Sequence, residues 1–169
     1  MSARTLLTSM FRYKAWADEG LFAGLLAARG RLPDDDLEAA WATLDHAHAV
    51  DGIFRAHLEG RPHGYGGTHS PERLAPGHLL QAVRDNDRWF LAHVQAIGDD
   101  ELAAPLAFDF TDGSAGRMSR EEMLGHVIAH GGYHRGEVGQ ILTRHTGSSP
   151  RDTFTAYLHE AEPARRLRA

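Results

Sequence analysis

Cysteine is absent from this chain, which removes disulfides, thiolate-bound metals and a cysteine nucleophile together. Lysine occurs once, as Lys14, so Schiff-base chemistry and a Walker-type phosphate loop have almost nothing to work with. No apolar run approaches the roughly eighteen residues of a membrane-crossing helix, and MSARTLLTSMFRYKAWADEG carries charges where a secretory signal needs an apolar stretch. The expectation is a cytoplasmic protein with no membrane partner. Basic runs are missing apart from the tail Arg165, Arg166 and Arg168, and the formal charge is −5, which argues against nucleic acid as a partner. Three enzyme signatures are missing as well. GYGGTH, from Gly64 to His69, lacks the third glycine of a dinucleotide fingerprint; Ser114 in DGSAG is outside the Gly-x-Ser-x-Gly frame; and no His-Glu-x-x-His occurs.

What the chain does have is histidine, 12 of 169 residues, in an otherwise ordinary composition of 42% hydrophobic and 24% charged residues. Such a chain suits one globular domain, 1–169, with a real core. Its most informative stretch runs from Ser119 to Thr146. Ser119 and Glu122 form a capping-box start, Gly147 is a stop, no proline intervenes, and Met123, Val127, Ile128, Ile141 and Leu142 give an apolar face. One long helix is predicted. On it His126, His130 and His134 are spaced by four, so neighbouring imidazoles lie one turn apart and a pair can grip one divalent ion. Spacing alone does not choose between 126/130 and 130/134, and a histidine-rich chain places such pairs by chance. Gly125, Gly132, Gly136 and Gly139 mark another stripe of the same helix, each costing roughly 0.8–1 kcal/mol against alanine. Close approach of another helix, within the bundle or across a homodimer, would account for them.

Earlier in the chain, Leu6, Met10, Tyr13, Ala17, Leu21 and Leu25 predict a first helix over 3–28, with Trp16 at the edge of that face. Pro33 and Asp34 to Asp36 suit the start of a second helix, about 37–59, and point in too many directions to be a metal cluster. Stepping from His46 along that helix gives Val50, Ile53 and His57, so His46 projects from a face that turns inward. Its ring nitrogens then need a metal, a carboxylate or another core partner. His48 points elsewhere, toward solvent. RPHGYGGTHSPERLAPGH reads as a surface loop whose His63, His69 and His78 reach a metal only if the loop folds over the bundle. A third helix covers about 77–97, a small hairpin turns at Asp112-Gly113, and SSPRDTFTAYLHEAEP gives a short terminal helix. The fold class is all-α: a four-helix bundle with a short β-hairpin or loop before the last long helix. No Glu-x-x-His pair occurs, so a di-iron centre is disfavoured against a histidine-only mononuclear site.

These segments resemble the DinB/YfiT-like superfamily. TLDHAHAVDGIFRAHLEG is similar to its second-helix segment, AHGGYHRGEVGQIL to its His-x-x-x-His-Arg-Gly-Gln signature, and YKAWADEGL to its first helix. The likeness covers most of the chain in the right order, with Asp45 for the usual Asn, Glu137 for Gln and Phe54 for Trp. The resemblance implies one divalent transition metal ion held by His46, His130 and His134, with zinc or nickel first and iron or manganese as further candidates. Three protein ligands leave a position for water or substrate. The implied function is a metal-dependent enzyme on a small-molecule substrate, a thiol-dependent S-transferase using a low-molecular-weight thiol. A hydrolase using metal-bound hydroxide and a non-catalytic, stress-induced metal-binding module closed by a fourth ligand such as His57 or His126 are the alternatives. Asp45, Asp51 and Glu137 are the carboxylates expected to orient the imidazoles.

Overall fold

The computed structural model describes residues 2–166, so Arg168 of the basic tail lies outside the described residues. Four long helices form the bundle: α1 (Ala3–Ala28), α2 (Asp34–Leu58), α3 (Pro76–Ala96) and, after a short α4 (Asp99–Ala103), α5 (Arg120–Thr146). Between α4 and α5 lies the expected hairpin, β1 (Pro105–Asp109) and β2 (Ala115–Ser119), and α6 (Phe154–Ala161) follows α5. The bundle is all-α apart from that hairpin. The short α4 is an element that sequence periodicity did not suggest.

The ends of α5 are where local chemistry puts them. Ser119 Oγ accepts from the Glu122 N–H at 3.2 Å while the Glu122 carboxylate accepts from the Ser119 N–H at 2.7 Å. At the other end Gly147 takes a left-handed φ of 81°, which a Cβ would oppose. Asp34, Asp35 and Asp36 sit inside the first turn of α2, where their charge complements the helix dipole, and Asp36 accepts from His145 Nε2 at 2.5 Å.

Helix α1 packs on α3 and α5, and α2 packs on the same two, so α1 and α2 face each other across the bundle. The core is divided. One apolar cluster gathers Phe11, Val50, Phe54, Phe90, Val94 and Met123, and a second gathers Leu21, Phe22, Trp41, Leu44, Leu79 and Leu142. Between them, crossing all four long helices, lies a buried ionic layer. Lys14, only 2% exposed, reaches Asp18 at 2.9 Å, Asp51 at 2.9 Å and Asp87 at 2.7 Å, thereby tying α1 to α2 and α3. Arg135 of α5 joins through Asp18 at 3.2 Å and continues to Asp152 at 2.8 Å, which also accepts from the Tyr13 hydroxyl.

Three expectations are corrected here. Leu6 is 45% exposed rather than part of the inward face, because the interior of α1 begins with Phe11 and includes charge. Among the described residues no helix covers the glycine stripe, which overturns the within-bundle alternative alone: a Cβ at Gly125 or Gly136 would meet nothing within 4 Å, and one at Gly139 only Ser149. The packed glycine is Gly131, whose Cβ would stand 3.3 Å from Lys14 Cε. His48 is not solvent-facing either, since the Asn86 amide lies 3.3 Å from its Nδ1 and it is half-buried.

Candidate metal centre

His46 from α2 meets His130 and His134 from α5 at one place, each offering a ring nitrogen within 4.8 Å of the other two. The choice that spacing left open is thereby made: His130 and His134 converge with His46, whereas His126 stacks on His130, 5.3 Å away, and against Phe54. The Nε2 atoms of His130 and His134 are 3.1 Å apart. Two tetrahedral ligands with metal–nitrogen bonds of about 2.0–2.1 Å would stand roughly 3.3–3.4 Å apart, so the pair is close to a gripping geometry before any adjustment. Among the described residues no other set of histidine and carboxylate groups converges in this way.

Two of the rings are oriented from behind. His134 Nδ1 donates to the Glu137 carboxylate at 2.6 Å, which leaves Nε2 with its lone pair. His46 Nδ1 donates to the Thr68 carbonyl at 2.7 Å. His130 Nδ1 is buried with no hydrogen-bond partner. Of the expected carboxylates, Glu137 does orient an imidazole. Asp45 instead accepts from the Ser70 N–H at 3.1 Å, holding the loop, and Asp51 belongs to the Lys14 layer.

Residues 59–75 fold back over α2, and Gly52 is what permits it, since a Cβ there would stand 2.6 Å from the Tyr65 hydroxyl and 3.2 Å from its ring carbons. Of the loop histidines, His69 comes within 5.2 Å of His46, ring to ring, without joining the converging set. His63 packs instead on His57, and His78 is exposed. A sequence cue existed in the Gly-Tyr-Gly-Gly run opposite a helical glycine, but a backbone carbonyl such as that of Thr68 leaves no mark on a sequence.

Burial, reinforced by the neighbouring imidazoles of His134, His126 and His46, holds His130 down at about 4. Burial also lowers His46, partly opposed by the Thr68 carbonyl. Both rings are therefore neutral at pH 7 and keep the lone pair that a metal requires. Beside them opens a cavity of about 220 Å³ walled by Val50, Ile53, Phe54, Phe108 and Phe110, with His46 and His130 at one side. A larger hollow of about 500 Å³ under the loop, lined by His48, His63, Tyr65 and Leu74 among others, touches none of the three converging histidines.

The site has the donor set and the spacing to hold one metal ion. No helix among the described residues is long and apolar enough to cross a membrane. A family model described as the DinB superfamily matches residues 21–138, a span that includes all three histidines. No curated protein and no solved structure matches the chain.

Proposed function

This chain belongs to the DinB superfamily, and from that premise we propose that it is a metal-dependent enzyme whose ion is held by His46, His130 and His134, acting as a thiol-dependent S-transferase. The observation that carries the reading is the convergence of three imidazoles from two helices beside an apolar cavity. When bound, the ion supplies Lewis acidity that brings a thiol toward its thiolate at neutral pH. Zinc or nickel suits three neutral imidazoles best, with iron or manganese as alternatives.

The chain's own groups do the remaining work. Glu137 and the Thr68 carbonyl hold protons on the far nitrogens, so the near nitrogens of His134 and His46 face inward as lone pairs. The apolar wall excludes water from one side, which protects a thiolate from competition by hydrolysis. In the transfer, the thiol sulfur forms a bond to an electrophilic carbon, the leaving group departs with its electron pair, and the thiol proton passes to solvent.

Elemental analysis is the first test. The purified protein should carry one transition-metal ion per chain, and His46→Ala, left with two imidazoles, should lose it. A variant that kept the ion with unchanged affinity would remove His46 from the site. Turnover of a model electrophile with candidate thiols, absent in His130→Ala, supports the transferase; turnover without thiol would make the protein a hydrolase on the same donors. A non-catalytic, closed site has one observation in its favour, the placement of the His69 ring 5.2 Å from that of His46. In that case His69→Ala would change the coordination spectrum of the cobalt(II) protein.

A further inference from the structure

The cavity beside the histidines differs from the site's other surroundings in carrying no formal charge. Its walls are Val50 and Ile53 from α2, Phe54 one position on, and Phe108 and Phe110 from the hairpin, with the imidazoles of His57 and His126 among them. No Asp, Glu, Lys or Arg lines it, in a chain where 24% of residues are of those four types.

The hairpin is built to supply this wall. Gly116 faces Phe108 across the two strands, and a Cβ there would stand 2.6 Å from Phe108 Cζ and 2.8 Å from Phe110 Cε2. Only glycine lets both rings lie over that position, where their centroids are 4.9 Å apart. Phe110 packs one face on Phe108 and is 48% exposed, so part of its ring stands open at the cavity's rim.

We propose that this cavity is the substrate-specificity pocket, taking a neutral apolar group, an aromatic ring or an alkyl chain of about six carbons, on the molecule brought to the histidines. The size agrees: an engineered protein cavity of roughly 150 Å³ admits benzene, and this one holds about 220 Å³. A carboxylate or phosphate carried away from the histidines would be stripped of water against the apolar walls with no Lys or Arg to receive it, which disfavours a charge there strongly. The proposal rests on the metal reading above for its function, but the pocket itself does not.

Two arms separate those failures. In the first, cobalt(II)-loaded protein is titrated with ethanethiol, butanethiol, hexanethiol and 6-mercaptohexanoate, following visible absorption. Each added methylene should tighten binding about three- to fourfold until the cavity is full, and 6-mercaptohexanoate, whose carboxylate lies too far along the chain to chelate readily, should bind far more weakly than hexanethiol. Phe110→Ala, on an exposed turn, and Gly116→Ala, which displaces both rings, should weaken hexanethiol severalfold while leaving ethanethiol nearly unchanged. Affinity independent of chain length, or equal for 6-mercaptohexanoate and hexanethiol, overturns the proposal. In the second arm, metal-free protein is exposed to toluene and the methyl resonances of Val50 and Ile53 are followed by NMR. Protein that takes up no cobalt but shows toluene shifts at those methyls loses the metal reading and keeps the pocket; no shift at either methyl overturns the pocket.

Discussion

At His134 the Glu137 carboxylate, 2.6 Å from Nδ1, keeps the proton on the outer nitrogen and leaves Nε2 directed at His130. His130 lacks such a partner, so the alignment of the pair on α5 depends on Glu137. Removing an outer partner of a ligating histidine typically costs 10–100-fold in metal affinity. Glu137 is 45% exposed at its side chain, which places it at the low end. Glu137→Ala should therefore weaken zinc binding by about tenfold and Glu137→Gln by less, as read by competition with a chelator; equal affinity in both would show that the contact does not orient the ring. The histidines themselves were legible because each carries a geometric signature. His130 and His134 are one helical turn apart, and His46 interrupts an apolar face. Which neighbour pairs with which was not legible, since His126 obeys the same spacing and only the approach angle of α2 separates it from the other two.

Among the elements, helices are written locally and loops are not. The capping box at Ser119 and the left-handed Gly147 bound α5 within one residue of where pattern places them, because caps involve groups three or four residues apart. Ser119→Ala should accordingly cost about 1 kcal/mol of stability by urea titration, with metal affinity unchanged, since the cap is remote from the histidines in sequence and fixes only the start of α5. Residues 59–75 are another matter. Their placement depends on a bare patch of α2 at Gly52 receiving Tyr65, and on the Asp45 carboxylate accepting from Ser70, contacts between residues 13 and 25 positions apart by sequence. Gly52→Ala should push the Tyr65 ring away, loosen the Thr68 carbonyl behind His46, and lower metal affinity while global stability changes little. Protease cleavage within 59–75 that is no faster in the variant would show that the loop is anchored elsewhere.

Across the whole molecule, two apolar clusters are separated by a layer of charge that periodicity does not reveal. Lys14, Asp18, Asp51 and Asp87 each occupy a position that, on helical spacing alone, suits either a core residue or the edge of a face. The absence of other lysines was legible; that the single one would be buried and held well above its ordinary range by three carboxylates was not. Such a layer adds little net stability when complete but is costly to break, so Lys14→Met should destabilise the fold by about 3–5 kcal/mol. Two cations, Lys14 and Arg135, meet four carboxylates, Asp18, Asp51, Asp87 and Asp152, and the excess negative charge favours retaining a proton. Burial, opposed by Lys14 and reinforced by Asp18 and Asp51, raises Asp87 from 3.8 to about 7. Because the folded chain then binds this proton more tightly than the unfolded one, the contribution of Asp87 is fully present below about 4 and is lost as the pH rises to about 7. Urea midpoints taken between pH 4.5 and 8 should fall across that window more steeply in the wild type than in Asp87→Asn, which accepts from Lys14 without titrating, and the two curves should run parallel above about 7.5. Histidine titration affects both proteins alike, so the difference between the curves isolates Asp87. Parallel curves throughout would mean that the layer carries its full charge at every pH and that the surplus is balanced by solvent rather than by a proton.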